Sequence, residues 1–184
     1  MQASTGQMTA PALEALLTSG ALAGTWILDP RRSSVRLFNK SIAGLVKVNG
    51  VFREVGGTGT VSPDGQVSGT ITVAAASVDT GNARRDKHLR SADFFDTASH
   101  PDIAFAVDGI RPSENGATVS GALTVRDQTR RLSFEAAASA HGDSEVWLDA
   151  EVHVNRADYG LTWTLLGLTT MHNALTIHAV FTRP

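Results

Sequence analysis

From Gly24 onward the apolar residues recur at every second position, and no intervening stretch is long and amphipathic enough to serve as a crossover helix. Trp26 and Leu28 begin the pattern, Val35 and Leu37 continue it, and Leu175, Ile177, Ala179 and Phe181 repeat it near the other end. A period of two puts successive side chains on opposite faces of a strand. Turn-forming clusters punctuate the runs: Pro63-Asp64-Gly65, Glu114-Asn115-Gly116, Asp127-Gln128 and His141-Gly142-Asp143. In the first of these Pro presets φ and Gly accepts a positive angle. Short turns without helical crossovers require antiparallel pairing. Strands are expected over 26–28, 35–37, 45–52, 57–61, 67–77, 102–110, 119–126, 132–140, 146–154 and 174–182, with a break at Asp29-Pro30. These make about eight strands of an antiparallel barrel or sandwich. The inward set is rich in Val, Ala, Leu and Ile, and only 6% of residues are aromatic, which tilts a barrel toward a hollow interior.

The bulk properties restrict what such a barrel does. The 184 residues suit one domain, with 42% hydrophobic and 18% charged residues as in a globular protein. A net charge of −2 gives no basic surface for nucleic acid. With no cysteine, disulfides and thiolate metal sites are excluded. The six histidines, at 88, 100, 141, 153, 172 and 178, show no paired ligand spacing, so no metal is expected. No G-x-S-x-G elbow is present, and Gly56-Gly57-x-Gly59 lies between strands instead of opening a helix, so neither a serine nucleophile nor a phosphate loop is indicated. No apolar run reaches the roughly 18 residues of a transmembrane helix.

The longest departure from the strand pattern is the insert at 78–105. A polar turn, Asp79 to Asn82, leads into a charged segment, Ala83 to Arg90, that reads as a short helix capped by Thr80 or Asn82. Asp86 and Arg90 are spaced for an i,i+4 pair, Arg84 and His88 share a face, and so do Arg85 and Leu89. Asp93-Phe94-Phe95-Asp96 and His100-Pro101 follow. A long insert in a sheet protein tends to be functional. The segment Ser77, Asp79-Thr80-Gly81, Arg85-Asp86, His88-Leu89-Arg90-Ser91, Asp93-Phe94-Phe95-Asp96, Pro101, Ile103 and Phe105 resembles the signature of the YceI-like, polyisoprenoid-binding family. Weaker echoes run from Trp26 to Phe181, and Arg156-x-Asp158-Tyr159-Gly160-Leu161 resembles a further family motif. The resemblance implies an extended, lipocalin-like antiparallel β-barrel with a lipid-binding interior. Two positions depart from it: Asp29-Pro30 is followed by Arg31-Arg32-Ser33 where the family has a histidine, and a second histidine is replaced near Ser41, within Asn39-Lys40-Ser41.

Two sets of candidate ligand contacts follow. Arg84, Arg85, Asp86 and His88 form a polar rim for a head group, or equally a solvated helix face. Val73, Phe94, Ile103, Phe105 and Leu123, with Phe134, Leu148, Trp163 and Ile177, are the expected apolar interior. Trp163, Leu165, Leu166, Leu168 and Met171 make an apolar loop able to line or gate a mouth. Arg156 and Asp158 are expected to pair and pin that loop. The function expected is binding or carriage of a long isoprenoid-type lipid, such as a polyprenyl compound or isoprenoid quinone, without catalysis and with no cofactor beyond the lipid. An enzyme using Asp86 and His88 as an acid/base pair is the alternative.

Residues 1–23 stand apart from the barrel domain at 24–184. Pro11 to Leu17 reads as a short helix, and Leu13, Leu16 and Leu17 give it one apolar stripe. So short a helix is not stable alone in water, so the stripe docks on the barrel wall, on its open end, or on a second copy in a homodimer. The start lacks a basic region, and Glu14 interrupts its best apolar run. The expectation is a cytoplasmic protein, or a periplasmic or secreted one processed before this numbering begins.

Overall fold

The computed structural model describes residues 7–41, 46–114, 116–163 and 170–184. Among these residues, two helices, α1 (Ala10–Thr18) and α2 (Ala83–Arg90), accompany eleven strand segments in one sheet. The segments are β1 (Gly24–Leu28), β2 (Ser34–Ser41), β3 (Val46–Phe52), β4 (Val55–Val61), β5 (Val67–Ala74), β6 (Val78–Asp79), β7 (Asp102–Ser113), β8 (Gly116–Val125), β9 (Gln128–Ala140), β10 (Glu145–Asn155) and β11 (His172–Thr182).

Every pairing is antiparallel. The ring runs β1, β4, β5, β7, β8, β9, β10, β11 and closes when β11 returns to β1, with Ile27 opposite Thr182 and Leu28 opposite Phe181. The remaining segments extend staves already in the ring. Past the break at Asp29-Pro30, β2 takes over from β1 along β11, with Val35 opposite Ile177. Likewise β3 and β4 are one bent stave, β4 pairing with β1 and β3 with β2. Among the described residues the result is a closed, eight-stave antiparallel barrel with two helices, so of the barrel and sandwich left open by the alternation the structure is the barrel that the family resemblance implied.

Local chemistry explains where the segments stop. Pro30 has no N–H to give a ladder, and the Asp29 carboxylate accepts from the Arg31 N–H at 2.9 Å to make the turn. The expected strand over 67–77 ends at Ala74, because Ala75–Ser77 forms a single 3₁₀ turn. The Ser77 hydroxyl holds that turn, donating to the Ala74 carbonyl at 2.6 Å and accepting from the Glu54 N–H at 3.1 Å. The turn expected at Asp127-Gln128 lies one residue earlier, with Arg126 at φ 57°, so β9 starts at Gln128. The Asp108 position is a bulge between Val107 and Gly109 in the β7–β8 ladder, which bends that wall.

Helix α1 packs across one end of the barrel. Leu13 and Leu17, the i and i+4 positions of its stripe, are 4% and 7% exposed and join Trp26, Val61, Ala117 and Ala138 in an end cluster. A larger cluster fills the opposite half, where α2 and the Phe94-Phe95 pair lie against Phe52, Val73 and Val125. Among the described residues no helix is long and apolar enough to cross a membrane.

One glycine decides how a central side chain sits. A Cβ on Gly121 of β8 would overlap the Ala106 carbonyl oxygen and lie 2.7 Å from Cζ of Phe105. The bare backbone at 121 thus gives the Phe105 ring its place, 5.5 Å from the Phe134 ring between centroids. Gly121→Ala should lower stability by ~1–3 kcal/mol, the usual cost of overpacking. Urea melts of the two proteins measure it, and an unchanged midpoint would contradict the close contact.

Candidate functional site

The insert leaves the sheet at Asp79 and rejoins it at Asp102, and most of its polar residues are occupied in folding it. The Asn82 side chain caps α2 by accepting from the Arg85 N–H at 3.0 Å. The Asp86 carboxylate, 6% exposed, accepts from the backbone N–H of Thr80 at 3.0 Å and its hydroxyl at 2.5 Å. Asp79 accepts from the Gly81 N–H and pairs with Arg53; these contacts, in that order, hold its carboxyl below the usual carboxylate range. The expected Asp86–Arg90 pair is not made. Arg90 instead donates to the carbonyls of Ala76 and Val78, each at 2.7 Å, and ties the helix to the strand end. Arg85 donates to the hydroxyl and carbonyl of Thr80, at 2.7 and 3.0 Å.

What remains for the interior is one helix face and the aromatic pair. Arg85, His88 and Leu89 line the cavity inside the barrel, joined by Phe94 and Phe95, whose rings meet edge to face at 4.8 Å. His88 packs on Trp163 with ring centroids 4.1 Å apart. Its Nε2 atom is buried and has no hydrogen-bond partner among the described residues. Arg84 is exposed and does not line the cavity. Asp86 faces an outer groove with Arg53, Asp79 and Arg90, so it and His88 lie on different sides of α2 and form no acid/base pair.

The interior has two lobes. The mouth lobe, under α2, has a volume of ≈ 240 Å³, and the far lobe, ending at α1, has ≈ 170 Å³. Val35, Ile71, Phe105, Leu123, Leu175 and Ile177 line both, so the lobes abut at their level. Each interior position expected from sequence lines this space. Phe105, Leu123 and Ile177 stand at the junction, Phe134 and Leu148 in the far lobe, and Val73, Phe94, Ile103 and Trp163 in the mouth lobe. Trp163, which lines the mouth lobe, is itself 43% exposed.

Among the described residues, charged, amide, imidazole and phenol side chains line only the mouth lobe, in Asn39, Arg85, His88, Arg156, Tyr159 and Asn173. The polar residues of the far lobe are Thr58, Thr60, Ser68 and Thr70, which present almost no polar surface to it. Asn39 and Asn173 were not anticipated. They face each other from β2 and β11, with the Asn39 amide donating to the Asn173 carbonyl oxygen. The signal for Asn39 was its parity with Val35 and Leu37 on β2; Asn173 shares parity with Leu175 and Ile177 in the same way. The Arg32 departure falls elsewhere: it pairs with Glu145 and stacks over Trp147 on the outside of the barrel.

Arg156, 5% exposed, pins the mouth as expected, but through carbonyls in place of Asp158. It donates to the Leu161 and Trp163 carbonyls at 2.9 and 2.7 Å and to that of Thr170 at 3.2 Å. Burial pushes its guanidinium below the usual pKa. Burial, then the nearby Asp158 carboxylate, raises the Tyr159 hydroxyl. Leu165, Leu166 and Leu168 lie outside the described residues. Among the described residues, no three His, Asp or Glu groups cluster as metal ligands.

A closed antiparallel barrel with an apolar lumen and polar groups at one end defines a β-barrel of the hollow, ligand-enclosing class. Within that class, a family model described as the YceI-like domain matches residues 26–182, and the chain belongs to this family. Protein YceI of Escherichia coli is 34% identical over 96 residues, which cover 51% of this chain and 50% of that protein. Protein YceI of Salmonella arizonae is 30% identical over 124 residues, 63% of this chain and 64% of that one. The chain therefore spans about half to two thirds of the length of these curated relatives. Among solved structures, BcnA of Burkholderia cenocepacia superposes with a TM-score of 0.74 at 19% identity, over 83% of this chain and 98% of that one. A polyisoprenoid binding domain from Saccharophagus degradans, implicated in plant cell wall breakdown, gives 0.71 at 14% identity, over 86% and 98%. At these identities the likeness establishes the fold.

The mouth depends on Arg156. Arg156→Met keeps much of the volume but strips donors from one buried and two half-buried carbonyls, and should cost ~2 kcal/mol or more. Thermal melts measure the loss, and the Trp163 contribution to tryptophan emission should shift to the red as its loop loosens.

Proposed function

We propose that this protein binds and carries a long apolar lipid of isoprenoid type, a polyprenyl compound or isoprenoid quinone, without transforming it. The tail occupies the two abutting lobes, and the head group sits among the polar side chains of the mouth. The observation that carries this reading is the segregation of the lining: the surface facing the lumen is apolar at the junction and far end, and charged, amide and imidazole side chains line only the mouth lobe among the described residues. A long tail with one polar end is complementary to that distribution. Enclosing the tail is favourable by ~0.8 kcal/mol per methylene, so partial enclosure already gives useful affinity. The His88 Nε2, buried without a partner among the described residues, lowers its desolvation cost by bonding an oxygen of the head group. The polyisoprenoid binding domain of similar fold supports the same ligand class. A binding role also accords with the separation of Asp86 from His88 across α2.

Native mass spectrometry of the purified protein, with solvent extraction of its contents, tests the reading. A bound prenyl lipid is expected; no co-purifying lipid together with no uptake of prenyl alcohol, prenyl phosphate or quinone would refute it. Ile177→Phe, which adds volume at the junction, should weaken all three ligands. His88→Ala should change the ranking among head groups, while Arg84→Ala, outside the cavity, should leave it unaltered.

A further inference from the structure

The far lobe ends on residues that lie outside the family-matched region. Met8, Leu13, Leu17 and Leu22 all line it, whereas the match begins at residue 26. These side chains span the barrel end between β1, β7, β8, β9 and the β4–β5 turn. Met8 is 9% exposed, and its N–H donates to the Ala138 carbonyl of β9 at 2.7 Å. Leu17 lies over Gly65 in the β4–β5 turn, where a Cβ would come within 2.9 Å of the Leu17 carbonyl oxygen and φ is +83°. The Leu22 carbonyl accepts from Trp26 Nε1 at 2.9 Å, and Arg183 donates to the Ala21 carbonyl while stacking over Trp26 at 4.7 Å. The segment is thus fastened at its start, middle and end, and its inner surface is a row of aliphatic side chains facing the lobe.

We propose that residues 8–22 are a fixed floor that sets the longest tail the barrel accepts, an inference that rests on the tail-binding reading above. A tail entering beside His88 runs past Phe105 and terminates against Leu13 and Leu17. The ring of strands closes through β11 and β1 without help from α1, so the floor can be changed while the wall stays intact. Length selection then belongs to the N-terminal segment and head-group selection to the mouth, at opposite ends of one cavity.

The experiment uses the full chain and an equimolar mixture of geraniol, farnesol, geranylgeraniol and solanesol, with retained ligands read by native mass spectrometry. Leu13→Phe and Leu17→Phe raise the floor and should shift the retained ratio of adjacent homologues toward the shorter by about tenfold or more. Leu13→Ala and Leu17→Ala should shift it toward the longer. Should either Ala variant undock α1, the floor opens and the same direction is expected, while circular dichroism confirms the intact barrel. His88→Ala, at the other end, should change all homologues by one common factor. Prenyl binding with the same length ratios in wild type and all four floor variants overturns the floor. No prenyl alcohol bound by the wild type refutes the tail-binding reading and the floor with it.

Discussion

Closure through β11 is the constraint on which everything else depends. This strand pairs with β10 along its whole length and, on its other edge, with β2 and then β1. A closed antiparallel ring leaves no long edge unpaired, so the backbone is satisfied by the wall alone and nothing requires the centre to be filled. In an eight-stave barrel the inward side chains determine whether the centre is solid. Here many are small or branched, including Val35, Val73, Val119 and Ala136, and room remains between them.

The same closure creates two ends with different problems. At the α2 end, β3 is met by β6 only at Val51 and Phe52, and the insert of helix and aromatic pair covers what the sheet does not. Holding that cover in place occupies its charged residues, since Asp86 holds the Thr80 turn and Arg90 binds the carbonyls of Ala76 and Val78. The family motif in this chain is therefore largely a folding motif, whose inward consequences are Arg85, His88, Leu89, Phe94 and Phe95. At the other end a segment outside the family match supplies the apolar cover. A lumen with one dry floor and one polar mouth has a direction, and direction is what orients an amphiphile.

The mouth illustrates how buried polarity is tolerated. Arg156 enters a nearly dry site, yet its hydrogens meet the carbonyls of Leu161, Trp163 and Thr170. A loop that would otherwise bury unpaired carbonyls gains donors, and the charge gains partners. Asn39 and Asn173 satisfy each other across the β2–β11 pair. His88 Nε2 stands out against this background, since the rings nearest its imidazole are Trp163 and Phe94, at 4.1 and 6.4 Å between centroids, and no described residue bonds it.

The sequence alone determined the wall. Period-two alternation is a local property, so the inward parity of Ile103, Phe105, Leu123 and Ile177 could be read without knowing any strand partner. The turn clusters located the hairpins to within a residue, and the Asp29-Pro30 break followed from the missing proline N–H. Tertiary structure decided what parity cannot express. Within α2 the spacing gave two possible faces, and only docking on the barrel turned Arg85 and His88 inward, left Arg84 in solvent and sent Asp86 to the turn. Arg156 found carbonyls in preference to Asp158 because those of Leu161, Trp163 and Thr170 all lie within reach of its guanidinium. The stripe of α1 was visible as an amphipathic helix, but its target lay on strands about a hundred residues away or more, such as Ala117 and Ala138. Side-chain direction along a strand is fixed by neighbouring residues; the partner of a buried charge or a docked helix is fixed by distant ones, brought close only when the ring closes.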